Sequence, residues 1–151
     1  MDRASTGKNI ITEIFALSKK LQDTGNCILE EITLPQWLLL TTIMEMGSGV
    51  KTLGQIVGAA DTSRQNISKQ LTALEKHGFI HLKPHINGTR ATAVIPTEKA
   101  YDFFCDKNKI DYSSIALLFQ LFSDKELSDF AQNIKQLSAG LDLLLNKEPE
   151  F

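Results

Sequence analysis

Cysteine is scarce in this chain of 151 residues: Cys27 and Cys105 are the only two, far apart in sequence. They exclude a disulfide scaffold and a four-cysteine zinc site. No apolar stretch approaches the roughly 18 residues that span a bilayer. Met1 to Lys8 lead into no apolar run of signal-peptide type, so a cytoplasmic, membrane-free protein is expected. Repeats and low-complexity segments are missing. So are a glycine-rich phosphate loop, a nucleophile–base–acid set and a pair of carboxylates on a common face, which points away from an enzyme and from any cofactor. What is present is 42% hydrophobic residues, eight Phe and a charged fraction of 23%, the make-up of a folded domain rather than a disordered acidic chain. The length suits a single unit, 1–151, with a buried core.

A formal net charge of −2 speaks at first against a nucleic-acid partner. The sum conceals a gradient. Between Val50 and Ala100 stand Lys51, Arg64, Lys69, Lys76, Lys83, Arg90 and Lys99 against Asp61, Glu75 and Glu98, a balance of +4 that leaves −6 for the rest. Only the surface that meets a polyanion must be positive.

Along the chain, Ile10, Ile11, Ile14, Phe15, Leu17 and Leu21 predict a helix over 8–24, ended by Thr24-Gly25-Asn26. Thr33 is an N-cap candidate for a second helix with Pro35 in its first turn, apolar enough to lie centrally. After Gly47-Ser48-Gly49 comes a short amphipathic segment, Leu53 to Gly58, capped by Thr52. A turn leads to Ser63, the N-cap of a helix over 64–77. Its core stripe is Ile67, Leu71 and Leu74, and Gly78 is its left-handed stop. Strands are expected at Phe79–Lys83 and Ala91–Ile95, joined through Asn87-Gly88, a strong hairpin signal. Pro96 and Thr97 open a helix carrying Ala100, Phe103 and Phe104, with a break near Lys109 to Ser113. The capping box Ser123-x-x-Glu126 starts the last helix. There Leu127, Phe130, Ile134, Leu137, Leu141 and Leu144 step by three and four, a heptad seam. The tail after Asn146 is polar.

A short helix, a turn, a second helix with a polar outer face and a hairpin make a winged helix-turn-helix. The fold class is thus mainly α with a small β-hairpin wing, a winged helix-turn-helix region over 33–100 flanked by N- and C-terminal helices. The major groove admits one helix, and residues near its N-terminus reach base edges. Ser63, Arg64 and Gln65 stand there, with Asn66 and Ser68 one turn on. Lys69, Thr72 and Lys76 suit phosphates, which position without specifying. Arg90, at the hairpin tip, suits the minor groove.

The run Thr62 to Ile80 resembles the recognition helix and following strand of MarR-type regulators (multiple antibiotic resistance regulators). Leu74, Glu75 and Gly78 match that family's leucine-glutamate-x-x-glycine pattern, Arg90 its wing arginine and Thr97 its next helix start. Gly88 replaces the wing aspartate that braces the arginine, and Ala100 replaces a later glycine. The resemblance covers roughly residues 8 to 145. It implies a homodimer built from helices over 8–32 and 110–146, bound to double-stranded DNA. The apolar seam agrees with this, since it exceeds what one small domain needs to cover and suits an isologous interface. A two-fold dimer implies a pseudo-palindromic site with half-sites roughly 10–10.5 bp apart. Family members also bind small aromatic or lipophilic effectors between the dimerisation helices and the winged domain. Trp37, Met44, Tyr101 and Phe104 are the large side chains expected near that junction, though core roles are the favoured reading.

The expected function is a ligand-responsive transcriptional repressor. Two alternatives stay open: a winged-helix protein-interaction module without DNA binding, and a redox sensor acting through Cys27, since some family members keep a peroxide-sensing cysteine in that region. Glu30 and Glu31 oppose thiolate formation at Cys27, and Cys105, beside Phe103 and Phe104, is read as a core residue. His77, His81 and His85 recur every four residues, but Gly78 breaks the helix between the first two, so no metal site is expected.

Overall fold

The computed structural model describes residues 2–47, 49–60, 62–84, 86–106 and 112–146. His85, most of the expected helix break and the tail beyond Asn146 lie outside them. Residues 1–110 form one compact unit and residues 111–151 a second.

The first unit begins with helix α1, Arg3–Leu29, whose N-terminus is capped by the Asp2 carboxylate accepting from the Ser5 amide at 2.9 Å. It runs through the expected stop at Thr24-Gly25-Asn26. Gly25 is buried where a Cβ would come within 3.0 Å of Leu34, so the missing side chain serves close packing rather than termination. Asn26 Oδ1 accepts from the Leu34 amide at 2.7 Å, which ties the start of α2 to α1. Between them the chain reverses at Glu30, in the left-handed region with φ of 60°.

Helix α2, Leu34–Glu45, opens as expected, with Thr33 and Gln36 in a reciprocal capping box and Pro35 in the first turn. It is central: Trp37, Leu39, Leu40 and Ile43 are buried. A two-residue strand that sequence periodicity did not reveal, β1 (Lys51–Thr52), precedes α3, Leu53–Ala59. Thr52 then caps α3 in a second capping box with Gln55. Lys51 has its stem buried and donates to the carbonyls of Gly47 and Gly49.

Helix α4 is Arg64–Lys76, followed by β2 (Ile80–Lys83), β3 (Ala93–Pro96) and α5 (Glu98–Cys105). The sheet is antiparallel in the order β1-β3-β2, with Leu82 opposite Val94 and Lys51 opposite that same residue on its other side. The fold is a winged helix-turn-helix, mostly helical, with a three-stranded sheet rather than a bare hairpin. Its core gathers Leu29, Leu40, Ile43, Ile56, Ile67, Leu74, Phe79 and Val94, all essentially inaccessible. Phe79 and Phe103 meet edge to face at 5.2 Å, a preferred aromatic geometry.

The second unit contains α6 (Tyr112–Leu118) and α7 (Asp124–Leu145). Ser123 and Glu126 form the expected capping box, with Ser123 N and Oγ both 2.8 Å from Glu126 Oε2. Those two donors favour the ionised form and hold the Glu126 carboxyl below its ordinary range. No described residue with an assigned exposure between 113 and 146 is buried. Among the described residues, no single helix is long and apolar enough to cross a membrane.

Candidate nucleic-acid interface

Helix α4 is anchored on one side and free on the other. Ile67, Leu71 and Leu74 are 0–1% exposed, as their i, i+4, i+7 spacing requires. Ser63 Oγ accepts from the Asn66 amide at 3.2 Å and caps the N-terminus. Gly78, with φ of 81°, turns the chain away at the C-terminus, and the Phe79 amide bonds back to the Leu74 carbonyl.

Three side chains brace that C-terminal end, and none was evident from helix or strand periodicity. Glu75 Oε2 accepts from the Leu82 amide at 2.6 Å, locking α4 to β2. The Thr97 hydroxyl donates to the Gly78 carbonyl at 2.6 Å. Thr97 therefore does not cap α5 by its side chain, as a helix start would suggest; its oxygen is directed toward the preceding turn instead. Lys99 Nζ donates to the His77 carbonyl at 2.8 Å. The leucine-glutamate-x-x-glycine pattern and the later threonine thus have one physical meaning: they set the angle between α4 and the wing.

The outer face carries Gln65, Lys69, Thr72 and Lys76, all exposed, with Ser68 half-buried between them, and Arg64 lies exposed at the helix N-terminus. Arg64, Gln65, Lys69 and Lys76 have no side-chain hydrogen bond or ion pair among the described residues. The others are partly committed. Asn66 Nδ2 donates to Thr62 Oγ1 at 3.0 Å, and the Thr72 hydroxyl donates to the Ser68 carbonyl at 2.9 Å. Gln65, Lys69 and Lys76 thus form one solvent-facing row of donors, and Arg64 adds its own at the start of the helix.

The wing differs in detail from a tight hairpin. Asn87 and Gly88, with φ of 50° and 73°, occupy the centre of a turn closed by the Thr89 amide on the Ile86 carbonyl at 3.0 Å. This is the mirror-type turn that Asn-Gly favours. Pairing nevertheless stops at Lys83 and Ala93, so the turn crowns a broader loop. Arg90 lies exposed in that loop, and with glycine at 88 its guanidinium meets no polar partner among the described residues.

The four large side chains expected near an effector do not share one environment. Trp37 is 4% exposed and its indole N–H meets no acceptor among the described residues; Met44 and Phe104 are half-buried and Tyr101 is exposed. A cavity of about 420 Å³ lies elsewhere. It is framed by Leu38, Leu39 and Thr42 of α2, Ala60 of the turn, and Asn66 and Gln70 of α4. Residues distant in sequence assemble it, so no local pattern announces it. Cys27 and Cys105 are both exposed. The core reading of Cys105 is therefore corrected: it ends α5 beyond the buried face made by Ala100 and Phe103. His77 follows α4 as its C-cap and His81 lies exposed on β2.

Residues 32–91 match the MarR family model, a span from just before α2 through the turn of the wing. That segment is similar to the MarR family. Among curated proteins no match is found. Solved structures agree on the MarR fold over nearly the whole chain. The organohalide-sensing regulator RdhR-CbdbA1625 with bound 2,4-dichlorophenol superposes with a TM-score of 0.79 at 15% identity, covering 98% of this chain and 90% of that one. A MarR/EmrR family transcriptional regulator from Acinetobacter sp. ADP1 gives 0.71 at 16% identity, covering 91% and 97%. MepR from S. aureus, in a complex with DNA, gives 0.72 at 18% identity, covering 86% and 96%. At such identities the likeness establishes the fold, and the residues of α4 must speak for themselves.

Proposed function

We propose that this chain is a homodimeric, sequence-specific DNA-binding transcriptional regulator, acting as a repressor that a small molecule relieves. The observation that carries the reading is the unpaired row Gln65, Lys69 and Lys76 on α4, with unpaired Arg64 at the helix N-terminus, beside a wing that presents Arg90. Arg64 and Gln65, at the helix N-terminus, are the base readers, with Ser63, Asn66 and Ser68 beside them. Lys69, Thr72, Lys76 and Arg90 meet the backbone or the minor groove. MepR, of the same fold, is seen with DNA.

Dimerisation is supported by α1 and α7. Ile11, Ile14 and Leu17 are 52%, 43% and 49% exposed, and Ile134 and Leu141 are 52% and 55% exposed, an apolar surface that water alone would leave costly. A second copy covers such faces with a two-fold interface, and the operator is then a pseudo-palindrome. The cavity beside Asn66 and Gln70 is the seat for the effector, a small, mostly apolar molecule with one or two hydrogen-bonding groups. A ligand there touches α4 directly and favours a different operator fit by its differential affinity. A cytoplasmic location follows from this role.

A salt titration tests the reading. Affinity for fragments upstream of the protein's own gene should be sequence-selective and fall steeply with salt, as counterion release requires. Arg64→Ala should relax base preference by about 1–3 kcal/mol at one position. Binding that is absent, or indifferent to salt, would favour a protein-interaction module instead.

A further inference from the structure

Lys99 differs from Arg64, Lys69, Lys76 and Arg90 of the basic segment. Its ammonium is already committed: 2.8 Å from the His77 carbonyl oxygen, 2.9 Å from Glu31 Oε2 and 4.6 Å from the centre of the Phe79 ring. These partners come from three places: the C-cap of α4, the corner between α1 and α2, and the buried residue that begins the wing. The Phe79 platform is rigid, because the ring is wholly buried and Phe103 packs edge-on against it. The Lys99 stem passes within 3.7 Å of where a Cβ on Gly78 would stand, so the side chain lies along the turn that ends α4. An ammonium has three donors, and here two are directed at oxygens while the charge rests on a ring face.

We propose that Lys99 is a positioning residue that couples the α1–α2 corner to the C-terminal turn of α4. A displacement of Glu31 pulls the shared ammonium, and the ammonium pulls the His77 carbonyl. If α1 belongs to the dimer and α4 to the DNA contact, as proposed above, Lys99 is a wire between assembly and recognition. It is also a positive charge withdrawn from the DNA, unlike the unpaired Lys69 and Lys76.

The test uses amide hydrogen exchange on the full chain. Reporters are His77, Gly78 and Phe79, whose amides bond to Ala73, Glu75 and Leu74 carbonyls. Glu31→Gln touches no atom of α4, yet should speed exchange at these three amides about two- to fivefold, the range for a half-exposed ion pair. In a Lys99→Met background the same change should add nothing, and Lys99→Arg should restore part of the protection. Unchanged exchange in Glu31→Gln, or additive effects in the double variant, would overturn the coupling. Glu31→Gln alone decides the matter if Lys99→Met does not fold. A second arm follows the salt dependence of binding to a mixed-sequence duplex: Lys76→Met should lower the slope by about one unit and Lys99→Met should leave it unchanged. A slope lowered by Lys99→Met would make it a phosphate contact. If the wild-type protein binds no DNA, the functional reading fails while the exchange result still stands or falls by itself.

Discussion

The winged region and the last helix of this chain handle apolar side chains in opposite ways. In the first, the apolar stripe of α4 is 0–1% exposed and closes a core with α2, α3 and the sheet. In the second, α7 has an apolar seam just as regular, yet Phe130, Ile134 and Leu144 stand 41%, 52% and 67% exposed. Periodicity alone cannot tell the two apart, since both repeat at helical spacing. The difference teaches that one stripe closes a fold, while the other is left open for the assembly proposed above.

The largest effect that could break this contrast should come from charging the seam. Replacing Phe130 and Leu137 by Glu should convert a dimer to monomers, raising the dimer dissociation constant by at least about 100-fold, since each change counts twice across a two-fold axis. Sedimentation reads the mass and circular dichroism should show the winged unit still folded. A species that is monomeric before substitution would remove the assembly half of the comparison.

Next in size is Leu71→Ala, which should cost about 2–5 kcal/mol of folding stability by opening a cavity under α4. Chemical denaturation measures it, and the loss should be independent of protein concentration beyond what dimer linkage adds. A smaller change is expected from Glu75→Ala, about 1–3 kcal/mol, because the Leu82 amide loses a charged acceptor. Faster exchange of that one amide, with the α4 N-terminus unaffected, is the signature to look for.

The smallest effect is one of pH, confined to the start of α7. The Glu126 carboxyl lies below its ordinary 4.5 when folded, so its capping contribution is complete above that value and fades as pH falls through the lower folded one. The Ser123 and Glu126 amide resonances should shift together over that acid range, and Glu126→Gln should flatten the response. Being fully exposed, the group should leave global stability nearly unchanged.

Much of the winged region was legible because its signals are local. Ser63, the Ile67-Leu71-Leu74 stripe, Gly78 and Asn87-Gly88 each act within a few residues, and each takes the conformation its chemistry favours. Non-local uses of the same residue types were not. Gly25 resembles a helix stop in sequence, but its missing Cβ is spent on contact with Leu34, nine residues on. Strand β1 has two residues and exists only because β3 lies beside it. Thr97 has the chemistry of a cap, and only the folded turn at Gly78 offers its hydroxyl a better partner. The cavity beside α4 and the triple contact of Lys99 are likewise products of distant segments, beyond the reach of spacing rules.

The bond from Glu75 to the Leu82 amide has one more consequence. Strand β2 forms an outer margin of the sheet, where an open backbone amide invites strand addition by another chain. The carboxylate occupies that amide and places a negative charge at the margin. If two copies bind neighbouring stretches of one DNA molecule as proposed, their wings are thereby kept from zipping together into a continuous sheet, and association is left to the helices.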